Sequence, residues 1–78
     1  MHLSRLYREQ SDGTLDKYLA KQSEQQLWLV VRDLEHEVAC AIARIEQRTE
    51  AGIEVPKCMR KHIKSRNDML EKVRKFLP

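Results

Sequence analysis

Four residues carry types and spacing that suit a metal site. His36 and Cys40 lie four apart, as do Cys58 and His62, which gives the order His-x3-Cys…Cys-x3-His. Imidazole and thiolate are the ligands zinc favours, and a pair four apart on a helix presents both to one side, so two such pairs on facing helices could close a tetrahedral site. The expected register opposes that closure. If Ala51 and Pro56 lie level across a link, Cys58 falls level with residue 49, and Cys40 lies about nine residues, or roughly 13 Å, farther along the axis. The same separation disfavours a Cys40–Cys58 disulfide, whose Cα atoms must come within ~7 Å. The expectation is therefore no metal and no other cofactor, with buried or half-buried free thiols and exposed histidines.

A second set of chemical groups is cationic. Lys57, Arg60, Lys61 and Lys64 crowd the start of the last helical segment, with Arg66, Lys72, Arg74 and Lys75 beyond. Residues 1–56 hold 7 Lys/Arg against 10 Asp/Glu, a net of −3, and residues 57–78 hold 8 against 2, a net of +6. Such a segment can attract nucleic acid, an acidic protein face or an anionic membrane, and it can equally pair with the acidic part of its own chain. Glu50 beside Lys57 and Glu46 beside Lys61 are the intramolecular pairs that the expected register allows. Catalytic groupings are missing from the sequence. It has no Gly-rich phosphate loop or nucleophile elbow, and Asp33, Glu35 and Glu37 alternate around a helix instead of converging, so no enzyme is expected.

The elements that must position these groups are helices. Leu27, Val31, Leu34, Val38, Ala41 and Ile45 follow one another at intervals of 4, 3, 4, 3 and 4. That alternation keeps one narrow apolar stripe turned toward a partner helix. Met59, Ile63, Leu70, Val73 and Leu77 repeat the seam, with Arg66 where an apolar residue is due. Gly52 is placed to end the first helix in a left-handed conformation, and Pro56 to begin the second. Asp68 with Lys72 and Glu71 with Lys75 are four apart in the favourable order. Ser23 with Gln26 reads as a capping box that either breaks or kinks the first helix or lies idle within it. The fold predicted is all-α: a short helical N-terminal arm over 1–13, then an antiparallel helical hairpin over 14–78 with helices at about 15–51 and 57–77.

The run Leu27-Trp28-Leu29-Val30-Val31 is apolar on all sides, and Ile42 flanks the lower seam, so one stripe does not account for the first long helix. Either the arm folds back, bringing Leu3, Leu6 and Tyr7 or Leu15, Tyr18 and Leu19 over Trp28 and Leu29, or two hairpins pair into a four-helix bundle. Trp28 with Leu29 is also the type of aromatic and aliphatic patch that anchors a protein partner. With 78 residues, 41% hydrophobic and 35% charged, the chain has room for one small domain whose core needs supplementing. No stretch is long and apolar enough for a membrane span, and the start Met-His-Leu-Ser-Arg-Leu-Tyr-Arg does not read as a signal peptide, so a cytoplasmic location and no membrane partner are expected. The function expected is a non-enzymatic regulator, adaptor or inhibitor, homodimeric, with Leu27, Val31, Leu34, Val38, Ile45, Ile63, Leu70 and Val73 as helix seam or dimer interface, which binds another protein through Trp28, Leu29, Lys57, Arg60, Lys61 and Lys64. A nucleic-acid-binding regulator using the last helix is the alternative, and a zinc-stapled hairpin is the third reading.

Overall fold

Two glycines and a serine set the helix boundaries. The computed structural model describes residues 3–78; Met1 and His2 of the expected arm lie outside the described residues. Four helices follow in order: α1 (Leu3–Asp12), α2 (Leu15–Ala20), α3 (Glu24–Glu50) and α4 (Lys57–Arg74). No strand occurs among the described residues. Gly13 and Gly52 take φ of 75° and 72°, the left-handed region that favours glycine. At each, the backbone closes in the same way. Thr14 N–H donates to Glu9 C=O and Gly13 N–H to Gln10 C=O, just as Ile53 N–H donates to Arg48 C=O and Gly52 N–H to Thr49 C=O. This pair of bonds satisfies carbonyls that the helix end would leave orphaned.

The helix expected over about 15–51 is broken. Ser23 has an extended backbone and its hydroxyl accepts from Gln26 N–H at 3.2 Å, so this half of the expected capping box starts α3 and separates it from α2. Thr14 stands before α2 but makes no capping bond. Its hydroxyl turns back to the Glu9 carboxylate instead. Pro56, extended at φ −62° and ψ 144°, precedes α4, where its missing N–H costs no helical hydrogen bond.

Helices α3 and α4 make the principal packing contact and form the expected hairpin. Leu27, Val31, Leu34 and Ala41 of the first seam are buried, and Leu70 and Val73 of α4 share one cluster with Leu27, Val31 and Leu34. Val38, Ile45, Met59, Ile63 and Leu77 are half-buried. Val30 and Met69, each beside a seam position, are as deeply buried as the seam itself. They belong to one cluster with Leu6 of α1 and Leu15 and Leu19 of α2, which shows what α1 and α2 cover. The arm thus forms part of the core. Its cover does not extend to Trp28 and Leu29, each of which stays 51% exposed.

Length explains the distribution. At 1.5 Å per residue α3 is about 40 Å long and α1 about 15 Å, so the short helices can cover only one end of the hairpin. The covered end is the one remote from the link: Arg66 stacks on Tyr7, while Gln10 and Gly13 share a depression with Lys72, Lys75 and Phe76. Toward the link, Ala41 is the only buried hydrophobic residue among the described residues. Leu6→Ala and Leu34→Ala are each expected to lose about 2–5 kcal/mol of stability in urea unfolding, and Ser23→Ala about 0.5–2 kcal/mol. A Leu6→Ala chain with an unchanged midpoint would contradict the place of α1 in the core.

Candidate functional site

Arg66 interrupts the α4 seam, and its surroundings explain how a cation is tolerated there. Its Nε donates to Glu37 Oε2 at 2.8 Å, and the two side chains retain 21% and 37% of their exposure. The guanidinium also lies 4.3 Å from the centroid of the Tyr7 ring, a cation–π contact that joins α1 to α4. Burial raises the Tyr7 phenol above its ordinary pKa, with the charge of Arg66 the main opposing influence. The Tyr7 hydroxyl is buried without a hydrogen bond of acceptable geometry. One further ion pair crosses the hairpin: Arg74 Nη2 donates to Glu35 Oε1 at 2.5 Å on the open surface.

These cross-helix pairs replace the ones expected from sequence. Glu50–Lys57 and Glu46–Lys61 do not form, nor do Asp68–Lys72 and Glu71–Lys75, while Arg5–Glu9 on α1 does, at 2.8 Å. Long side chains reach a turn along the axis, so residues that stand level need not be the ones that pair. As a result Lys57, Arg60, Lys61 and Lys64 are exposed and take part in no ion pair among the described residues. Their spacing of 3, 1 and 3 places all four on one face of α4, away from the seam. Trp28 and Leu29 stand at the start of α3, at the other end of the hairpin.

The four metal-type residues border one groove without converging on a point. His36, Cys40 and Arg44 of α3 and Cys58, Met59 and His62 of α4 line an open groove of about 650 Å³, with Glu37 and Ala41. Cys40 Sγ is 3.6 Å from His36 Nε2. Both cysteines are free and exposed, not buried or half-buried as expected, because each stands off the apolar seam of its helix. Among the described residues, no three His, Cys, Asp or Glu side chains stand close enough to share an ion as they are placed. The separation expected between Cys40 and Cys58 is compatible with a shared groove because the groove spans about 12 Å of α3, from His36 to Arg44.

From sequence, Arg66 reads as an interruption of the seam and as one cation among those of the last helix, with no partner assigned. The signal that identifies its role is a cation on one seam and a carboxylate, Glu37, beside the other seam at nearly the same level. Tyr7 gives no comparable signal, since its place over Arg66 depends on how α1 folds back. Compared with known proteins, the chain matches no protein-family model, no curated protein and no solved structure.

Arg66→Ala is expected to destabilise the chain by about 1–3 kcal/mol, the range set by a partly exposed ion pair together with a cation–π contact. Tyr7→Phe removes an unsatisfied hydroxyl and is expected to leave stability at neutral pH unchanged or raise it by up to about 1 kcal/mol. The raised phenol pKa gives a second signature. The folded chain holds that proton while the unfolded chain loses it near the ordinary phenol value of 10.0, so the stability it contributes is present below pH 10.0 and lost as pH rises through the folded value. Urea midpoints measured across this alkaline range should fall less steeply for Tyr7→Phe than for the parent chain.

Proposed function

We propose that this chain is a small non-enzymatic interaction module, a regulator, adaptor or inhibitor that binds another protein through its helical surfaces. The observation that carries this reading is the exposure of Trp28 and Leu29, 51% each and adjacent, although Leu27, Val30, Val31 and Leu34 beside them on α3 are buried in the core shared with the two short helices. A large aromatic side chain left half in water, with an aliphatic neighbour, has the composition of an interface anchor. Lys57, Arg60, Lys61 and Lys64 form the electrostatic part of the same module, suited to an acidic partner face. Ile42, 44% exposed, flanks the half-buried Val38 and Ile45 and extends the uncovered apolar surface toward the link. Pairing of two hairpins on this flank would make a four-helix bundle. No helix of the described residues is long and apolar enough to cross a membrane. Two exposed free thiols suit a reducing compartment, which supports the cytoplasm as its location.

The unpaired cationic face of α4 favours nucleic-acid binding as the second reading. Four exposed cations on one helical face can contact phosphates, and such binding weakens steeply as salt rises. The absence of aromatic residues between them argues for charge alone, without base stacking.

Light-scattering mass on a sizing column, with and without a short mixed-sequence duplex at low and moderate salt, separates the two. The expected result is a dimer indifferent to the duplex, reduced to a monomer by Ile42→Asp with helicity intact. Trp28→Ala should stay dimeric and change stability by no more than about 0.5 kcal/mol, as an exposed side chain does. A duplex complex that dissolves with salt and is abolished by Lys61→Glu with Lys64→Glu would replace the protein-interaction reading with the nucleic-acid one.

A further inference from the structure

We propose that the furrow between α3 and α4, in the part that α1 does not reach, is the docking site for an acidic amphipathic helix of a partner protein. The occupied end shows what this furrow accepts. There Leu6 of α1 shares one buried cluster with Val30 and Leu34 of α3 and Met69 of α4, so a helix is seated across both long ones. Tyr7 closes over Arg66, Arg66 pairs with Glu37, and Glu37 lines the open groove, so the third layer stops where the groove starts.

The groove is longer than its histidines and cysteines indicate. A second depression of about 550 Å³, lined in part by Arg48, Ile53 and Pro56, shares Arg44, Cys58 and Met59 with the first. Together they follow α3 from His36 to Arg48, about 18 Å or just over three helical turns. A helix of that length lays one apolar stripe into a groove, with its contact residues three and four apart. The floor suits such a stripe, since Ala41 is buried, Met59 is half-buried and Ile53 of the link is 55% exposed.

Charge selects the occupant. Glu37 is the one carboxylate among the residues lining the two depressions, and Arg66 already holds it at 2.8 Å. Arg44 and Arg48 stand one turn apart on the α3 side, both exposed and in no ion pair among the described residues. The unpaired charge of the lining is therefore positive, which disfavours a basic helix and attracts carboxylates that flank an apolar stripe. A nucleic acid would satisfy the arginines but would set its charged backbone against Met59 and Ile53. This surface is separate from Trp28 and Leu29 and from the outer cationic face of α4, so it adds a second docking site to the module and does not rest on the first.

The test uses the full reduced chain and a fluorescein-labelled synthetic helix of about 14 residues, long enough to span the groove. The peptide carries leucines three and four apart with glutamates on both flanks of that stripe, and its counterpart carries lysine in place of every glutamate. The expected result by anisotropy is saturable binding of one acidic peptide per chain and no binding of the basic one. Arg44→Glu with Arg48→Glu should weaken binding at least about tenfold, because like charges then face each other, and Trp28→Ala should leave it unchanged. Both arginines are exposed, so circular dichroism should show the parent helicity in the double variant. Cys40 and Cys58 report the position directly, since both are exposed in the groove, and saturating peptide should slow alkylation of each thiol by iodoacetamide. Absence of acidic-peptide binding, thiols alkylated at an unchanged rate, or an affinity indifferent to the arginine reversals would overturn the assignment. So would displacement of the peptide by a short mixed-sequence duplex, or loss of binding in Trp28→Ala, which would move the peptide to the other docking surface.

Discussion

The structure depends on a mismatch of length: α3 is far longer than the helices available to cover it. An antiparallel partner of 18 residues can follow most of its 27, but α1 and α2, of 10 and 6 residues, can shield only one end. Where they do, the hairpin acquires a third layer, and residues just off the seam such as Val30 and Met69 become core. Beyond them the two long helices rest on a single stripe. The extents of 45 × 24 × 18 Å express this, since the long axis is essentially α3. Both the exposed apolar flank and the open His/Cys groove belong to the part of the hairpin that receives no third layer.

The cation at Arg66 stands close to where the layered part gives way to the uncovered part, and it solves a problem that an apolar seam creates. Seams built from alternating 3 and 4 spacings resemble themselves every seven residues, so burial alone discriminates weakly between registers. A cation on one seam with one suitably placed carboxylate on the other helix makes a slipped register leave a partly buried charge without its partner. Glu37 provides that partner, and the Tyr7 ring closes over the guanidinium from α1. Three elements are thereby tied at one position. The free energy of the ion pair itself is modest at this exposure, and its value lies in the arrangements it disfavours.

What the sequence made legible was local. Gly52, Pro56 and the alternating seam each act within a few residues, and the link and hairpin appear where their chemistry places them. Ser23 left two readings open because a capping box offers one hydrogen bond against continued helix, a balance that distant packing decides. The cover over Val30 and Met69 was not legible, since it depends on which flank α1 and α2 choose. The ion pairs were misplaced for a different reason: a register fixes Cα levels, whereas Arg and Glu side chains reach a turn to either side, so Glu37 found Arg66 while Lys57 and Lys61 found no carboxylate.

The surfaces left open differ in what each can recognise. The cationic face of α4 carries charge without shape, so it favours any acidic surface and contributes to attraction more than to choice. Trp28 with Leu29 carries shape, because burying an indole requires a pocket that fits it. The two stand at opposite ends of the hairpin, so a partner engaging both must extend along much of the 45 Å axis. A long helix or an extended segment meets that requirement more readily than a small globular face. Acidic residues opposite α4 and an apolar pocket opposite α3 would then set its direction along the hairpin, since reversing it would place carboxylates against Trp28 and leave the four cations facing an apolar surface.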